Sequence, residues 1–406
     1  MNSRTPMQWP EGWNDPALLD LLKATAIDYL LIPSRPEFFA VRTRAAQLGI
    51  EVGDPDRPPH GVGIVKGVWP GIQWPTTGAG SGPTGVPWVD SNGWLIRLNR
   101  ALHPELTPWI AAPPPAKSII PADSYLIAIA DGALYGGRWT IGLDAPLAKG
   151  LSTHDPESLA VWKRLTATAA YFATHKTWAD YAPVGTAGVI SDFTGDNEFF
   201  SHELLNLMGR AGLHYRILPK DRIVPASFDS LHGVSYTDAT PPTPDLRQQI
   251  LQFVERGGLL IAAPVWGEVA GTPLSVPQPA GYKVRSVGKG RIAVADDTPA
   301  DPYSWATDAA VLVSHRYDLV RFWNSGAARS FYTLSPDRKQ ALVHLLFYAD
   351  RGPDSATVWI GGRYRSARAS TVDSPKVDAL AMQAKADGVE VHLPQVSQYV
   401  AVELDV

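Results

Sequence analysis

Residues 123–144 read DSYLIAIADGALYGGRWTIGLD. The run predicts a helix over 123–137 that ends in small residues, followed by a strand, RWTIGLD, over 138–144. Outward from it, the first third of the chain alternates short apolar runs with helical stretches in the manner of βα units. Towards the N-terminus come strands over 107–113 (TPWIAAP), 61–71 (GVGIVKGVWPG), 50–54 (IEVGD) and 27–33 (IDYLLIP). The helices between them are expected at 15–26, with Asp15 as cap and Pro16 in the first turn, at about 37–48, and from Asp90 or Ser91 to about His103. A long amphipathic helix over 156–178 closes the region. Parallel βα units form an open doubly wound sheet or a barrel, and about five strands are too few for the full eight. The expected fold class is therefore α/β, beginning with an incomplete TIM-like (β/α) barrel over 1–183.

The next region, 184–352, opens with a strand at 185–193 (GTAGVISDF), a helix at 197–211 and a strand at 214–219. TPDLRQQILQFVERGG (243–258) is a helix capped by Thr243, with Pro244 in its first turn and Gly257 at its end, and it leads into a buried strand, LLIAAP (259–264). This is a Rossmann-type or flavodoxin-type order without a phosphate loop, since no GxGxxG follows the first strand. A β-rich excursion and a helix at 336–349 complete the region. From about 355 the chain alternates apolar and polar residues between turns, which predicts a small β-sandwich over 353–406.

Composition narrows the function. The chain has 406 residues, 45% hydrophobic and 19% charged, and a net charge of −4. That balance fits two to four globular units and supplies no basic stripe for nucleic acid. No window is apolar for long enough to cross a bilayer. The opening MNSRTPMQWPEGW lacks the apolar core of a signal peptide, and a mature form without its leader would read the same; a cytoplasmic or an exported location is open. Cysteine is absent, which removes disulfides and thiolate chemistry. The ten histidines show no HExxH spacing, and no GxSxG elbow is present, so neither a metal nor any other cofactor is expected.

Three stretches carry a family resemblance. SYLIAIADGALYGGRWTIGLD (124–144) resembles the last barrel helix and strand of the β-galactosidase-type glycoside hydrolases, in which a catalytic barrel precedes a flavodoxin-like trimerisation domain and a C-terminal β domain. The run 185–265 is similar to that middle domain in element order, and GVEVHLPQVSQYVAVELDV (388–406) resembles the closing hairpin. The resemblance implies a sugar-processing protein with a carbohydrate ligand and a homo-oligomeric assembly. It also implies two glutamates at barrel strand ends; here TPWIAAPPP ends without an acid, and neither glutamate has a matching position.

Strand ends and the loops after them hold the site in βα folds. That rule selects Arg35, Asp54, Lys66, Trp69, Asp90 and Asp144. Glycoside hydrolysis needs two carboxyl groups, and Asp90 with Asp144 is the expected pair, Asp54 the reserve. Each acid has a competing role: Asp90 and Asp144 also stand where helix caps stand. The segment 67–94 concentrates Trp69, Trp74 and Trp88 in a Gly/Pro-rich stretch, with Trp94 in the helix that follows. Such a loop suits a sugar platform, with Trp69, Trp74 or Trp88 stacking, Asn92 bonding hydroxyls and Lys66 facing the cleft; the competing role is core packing, which tryptophan also serves. The expected activity is cleavage of a poly- or oligosaccharide by paired carboxylates, the alternative a non-catalytic carbohydrate-binding or assembly protein of glycoside hydrolase descent.

Overall fold

The structure, a computed structural model, describes residues 3–74, 82–83 (backbone), 89–274, 279–299, 301–323, 327–348, 355–374, 376–394 and 396–406. The fold is mixed α/β.

The N-terminal part contains β1 (Pro6–Gln8), β2 (Tyr29–Leu31), α1 (Phe39–Gln47), β3 (Glu51–Gly53), β4 (Val62–Lys66), α2 (Gly93–Leu102), β5 (Thr107–Ala111), α3 (Ala122–Leu134), β6 (Arg138–Trp139), α4 (Ala145–Ser152) and α5 (Pro156–Thr174). Strands β1, β2 and β3 pair in parallel, as do β4, β5 and β6. The two halves meet where Ile141, just past β6, bridges Met7 in parallel and exchanges backbone hydrogen bonds with Pro6 and Gln8, both 2.9 Å. The result is one arc of six parallel strands in the order β4-β5-β6-β1-β2-β3, with β3 and β4 as its two ends.

Register sorts the side chains. Met7, Leu30, Ile110 and Ile141 point outward and join a large core with α3 and α5. Tyr29, Leu31, Val62 and Trp109 form a separate small core on the concave side, where the Tyr29 and Trp109 rings meet edge-on at 5.1 Å. Helix α3 is buried along nearly its whole length, as an apolar helix lying between layers must be. Gly132 lets it pass close to β6, because a Cβ there would lie 2.7 Å from the Trp139 nitrogen; Gly136, at φ +83°, turns the chain out of the helix.

The middle part contains β7 (Ala187–Ser191), α6 (Glu198–Arg210), β8 (Tyr215–Pro219), β9 (Gly233–Tyr236), α7 (Pro244–Glu255), β10 (Leu259–Ala262), β11 (Tyr282–Val287), β12 (Gly290–Ala295) and α8 (Pro302–Val313). Its sheet runs β8-β7-β9-β10-β12-β11, the first five strands parallel and β11 antiparallel, with a short edge pairing at Thr272–Pro273. Helices cover both faces, giving two separate cores.

The remaining strands are β13 (Val320–Trp323), β14 (Ala328–Leu334), β15 (Gln340–Phe347), β16 (Ala356–Gly361), β17 (Ser366–Thr371), β18 (Asp378–Leu380), β19 (Met382–Ala384), β20 (Gly388–Leu393) and β21 (Tyr399–Asp405). They form two antiparallel sheets, β13-β16-β20-β19 and β18-β17-β21-β15-β14, the second extended by Ala182–Pro183, packed on a shared apolar core.

Three local expectations change. Residues 340–347, expected inside a helix, are strand β15: the run QALVHLLF is buried on both faces between β14 and β21, and such a continuous apolar run carries no period to separate strand from helix. Residues 16–22 form a 3₁₀ helix, still capped by Asp15 through Ala17 N–H at 2.8 Å. Strand β1, unforeseen in the sequence, lies inside the arc and raises its count to six.

Candidate functional site

Because Gln8, Leu31 and Gly53 are in register, the ends of β1, β2 and β3 lie side by side. The chain leaving them carries Glu11, Arg35 and Asp54 to one edge of the arc. The Arg35 guanidinium reaches Glu11 at 3.4 Å and Glu37 at 3.4 Å. Asp54 accepts the Asp56 N–H at 3.1 Å; that bond, joined by Ser34, holds its carboxyl below the usual range, so it is ionised at neutral pH.

Beside this edge lies an open groove of about 530 Å³, built from the segments that follow β1, β5 and β6. Glu11, Trp13, Lys117, Asp144, Lys149 and Ser152 are among the residues that line it. Trp13 belongs to its floor: it is buried, meets Trp9 edge-on at 5.0 Å, and its indole N–H donates to the Ala148 carbonyl at 3.0 Å. Glu11 is the exposed carboxylate of the groove, its side chain 87% accessible. Sequence reasoning passed over it, because β1 is only three residues long and flanked by prolines, and without β1 there was no strand end to search.

Asp144 lines the groove only in part. Its residue is 2% exposed, and its carboxylate accepts from Leu147 N–H (3.0 Å), Ile120 N–H (3.2 Å) and the Tyr125 hydroxyl (2.9 Å). It is the N-cap of α4, the competing role weighed for it in the sequence. Burial, followed by the Asp144 charge, pushes the Tyr125 phenol up, so it stays a donor. Asp90 is elsewhere: its exposed carboxylate pairs with Arg210 of α6, and it does not line the groove. Asp90 also does not cap α2, whose N-cap is Asn92.

Of the expected sugar platform, Trp69 is 5% exposed, packed edge-on against Tyr125 at 5.2 Å and Trp139 at 5.0 Å. Asn92 is 1% exposed and tied on both sides: its side chain bonds Val68 N–H and C=O, each at 2.9 Å, and donates to Asp131 at 3.0 Å. These two residues hold the loop in the core and present no face to a ligand. Trp74, at 41%, is exposed, as is Lys66 at the end of β4. Trp88 lies outside the described residues.

Two polar centres lie apart from the expected site residues; of their members only Asp192, in the acidic run 191–203 after the first strand of the middle part, stands out in the sequence. Asp131 of α3 is fully buried and accepts from the Asn92 backbone (2.9 Å), its amide, and the Tyr348 hydroxyl (2.9 Å), which ties the arc to the sandwich. Burial pushes its carboxyl up to about 6, against the hydrogen bonds from Asn92 and Tyr348. At the C-terminal ends of β7, β8 and β9, Lys220 donates to Asp192 at 2.6 Å and to the buried Asp238 at 2.5 Å, while Ser191 also donates to Asp238. Among the described residues, no three His, Cys, Asp or Glu side chains gather as metal ligands, and no helix is long and apolar enough to cross a membrane.

The architecture is similar to that of α-L-fucosidase isoenzyme 2 from Paenibacillus thiaminolyticus, with a TM-score of 0.51 at 10% identity over 98% of this chain and 83% of that one. The fold is glycoside-hydrolase-like. Two further solved structures are a β-galactosidase from Bacillus circulans sp. alkalophilus (TM-score 0.45, 10% identity, 70% of this chain and 52% of that one) and a rhamnosidase from Novosphingobium sp. PP1Y (TM-score 0.44, 10% identity, 93% and 36%). The chain thus spans about half of that galactosidase and about a third of that rhamnosidase. No protein-family model and no curated protein matches the sequence.

Proposed function

We propose that this glycoside-hydrolase-like chain binds a carbohydrate in the groove beside the ends of β1, β5 and β6. In this reading residues 1–183 are a shortened (β/α) barrel, the flavodoxin-like unit expected over 184–352 ends before β13, and the β-sandwich joins 353–406 to strands β13 to β15. The observation that carries the binding reading is the state of Asp144. It is the one expected catalytic acid that reaches the groove, and its carboxylate is occupied by two backbone N–H groups and a buried phenol. Glu11, Lys117, Lys149 and Ser152 remain as polar groups for sugar hydroxyls, with Arg35, Asp54 and Lys66 at neighbouring strand ends.

A second reading, hydrolysis by a carboxylate pair, rests on Glu11 and the ionised Asp54 at the ends of β1 and β3. The test is a panel of neutral oligosaccharides and aryl glycosides, assayed for binding and for turnover with wild type, Glu11→Gln and Lys149→Ala. Binding weakened about tenfold by either substitution, with no product formed, supports the binding function. Product from wild type that disappears in Glu11→Gln supports hydrolysis. Affinity unchanged in both variants overturns the groove assignment.

A further inference from the structure

A second groove, of about 590 Å³, lies where the three parts of the molecule meet, away from the strand-end groove. Its walls come from α2, the edge strand β8, and the turn between β14 and β15. Four arginines face it, Arg97, Arg100, Arg216 and Arg338, against one carboxylate, Asp229. This concentration stands out in a chain whose net charge is −4.

The arginines divide by what already holds them. Arg100 donates to the Tyr135 and Ala179 carbonyls at 3.1 and 2.8 Å and belongs to the packing. Arg97 stacks over the Tyr215 ring at 4.0 Å and donates to the Tyr215 carbonyl. Arg216 gives one N–H to the Asp229 carbonyl at 3.2 Å, and Arg338 stands exposed in its turn. Ion pairs occur throughout the molecule, yet Arg97, Arg216 and Arg338 form none among the described residues. Each guanidinium carries five N–H donors in a planar fork, so each keeps donors beyond those used.

A smaller cavity of about 110 Å³ adjoins the groove and shares Arg97 with it. There His214 is 7% exposed, and its Nδ1 has no hydrogen-bond partner, while Nε2 lies 3.2 Å from the Ser330 hydroxyl. A buried polar atom left without a partner beside arginines is a further polar feature of the same junction.

We propose that this junction groove binds an oxyanion carried on a saccharide, a carboxylate or sulfate ester, held by Arg97, Arg216 and Arg338. The planar forks match such oxyanions in two-point contact, and the volume admits a sugar ring. The half-buried Arg216 and the exposed Arg338 select for the charge; Arg97, fixed by its stack on Tyr215, sets the position. The site is separate from the strand-end groove, and the saccharide part of its ligand rests on the carbohydrate reading above.

The test is calorimetric titration with an oligogalacturonate, a sulfated galacto-oligosaccharide, the neutral oligosaccharide of matching length, and sodium sulfate, at low and at physiological salt. Wild type is expected to bind one of the acidic saccharides more tightly than the neutral one, with affinity falling as salt rises. The double variant Arg216→Gln/Arg338→Gln, with an unchanged melting curve, is expected to weaken that binding about tenfold or more. Acidic saccharide bound no better than neutral, or bound equally by the double variant, overturns the proposal. Sulfate alone binding as tightly as the saccharides overturns the sugar and leaves a free oxyanion. Affinity lost in Glu11→Gln but kept in the arginine variant moves the ligand to the other groove and likewise overturns it.

Discussion

Replacing Asp144 by alanine removes three hydrogen bonds at one stroke, and the loss is expected in stability. The cap bond to Leu147 N–H contributes about 1 kcal/mol. The Ile120 N–H and the Tyr125 hydroxyl proton then lose their acceptor in the core, at roughly 1–3 kcal/mol each, although the Tyr125 oxygen keeps the residue-144 N–H at 2.8 Å. A total of about 5 kcal/mol follows. At about 2–4 °C per kcal/mol for a unit of some 150–250 residues, the melting temperature of the N-terminal part falls by roughly 10–20 °C. Asp144→Asn keeps one oxygen for the cap and sets an amide against Ile120 N–H, so about half that loss is expected. Circular dichroism melts give the total, and hydrogen exchange at the α4 amides locates it, since a chain of several units need not unfold in one step. Asp144→Ala melting within about 2 °C of wild type would refute the capping account, as that is below the value of a single lost cap. So would Asp144→Asn that keeps wild-type stability and abolishes turnover, because the carboxylate would then be doing chemistry.

The buried ionisable groups set a pH profile. His214 is pushed down to about 4 by burial and then by Arg97, and His344 to about 3 by burial and then by His175. The unfolded chain therefore takes up these protons first, and stability present above about pH 6.5 is lost as pH falls towards 4 and 3. His344→Gln should move the acid unfolding midpoint to lower pH; a midpoint left in place removes His344 from the acid limb. Asp131, raised to about 6, acts with the opposite sign: its contribution is full below about pH 4 and is lost as pH rises through 6. Urea titrations of Asp131→Asn at pH 4, 5, 6 and 7 should lack that decline, and a decline identical to wild type would exclude this group as its source. Lys220→Met strands the buried Asp238 and should cost about 3–5 kcal/mol in urea unfolding, partly recovered by Asp238→Asn in the same chain. A single-variant cost below about 1 kcal/mol would mean that Asp238 finds another partner.

Much of this protein was legible in local sequence. The helix and strand of 123–144, the cap of α7 at Thr243 and Pro244, the buried strand β10 and the caps at Asp15 and Asp144 depend on neighbours a few residues away, which the sequence displays directly. Tryptophan was less legible. Residue type states that an indole is large and apolar but not which surface covers it, and contacts with Tyr125 and Trp139 put Trp69 in the core while Trp74 stayed exposed. The acids divided in the same way: Asp144 was a credible catalyst until the Tyr125 hydroxyl, nineteen residues away, and Ile120 filled its oxygens.

Sequence alone determined the α/β class, the order of most segments and the caps at Asp15, Asp144 and Thr243, because propensity, periodicity and turn chemistry act within a few residues. Tertiary structure decided the rest. It made 340–347 a strand by supplying β14 and β21 on either side, and it made the three-residue β1 a member of the arc by pairing it with β2 and Ile141. It also brought Glu11 to Arg35 and gathered Arg97, Arg216 and Arg338 around one groove. Those choices rest on partners distant along the chain, whose hydrogen bonds and fields exist only once the layers have packed.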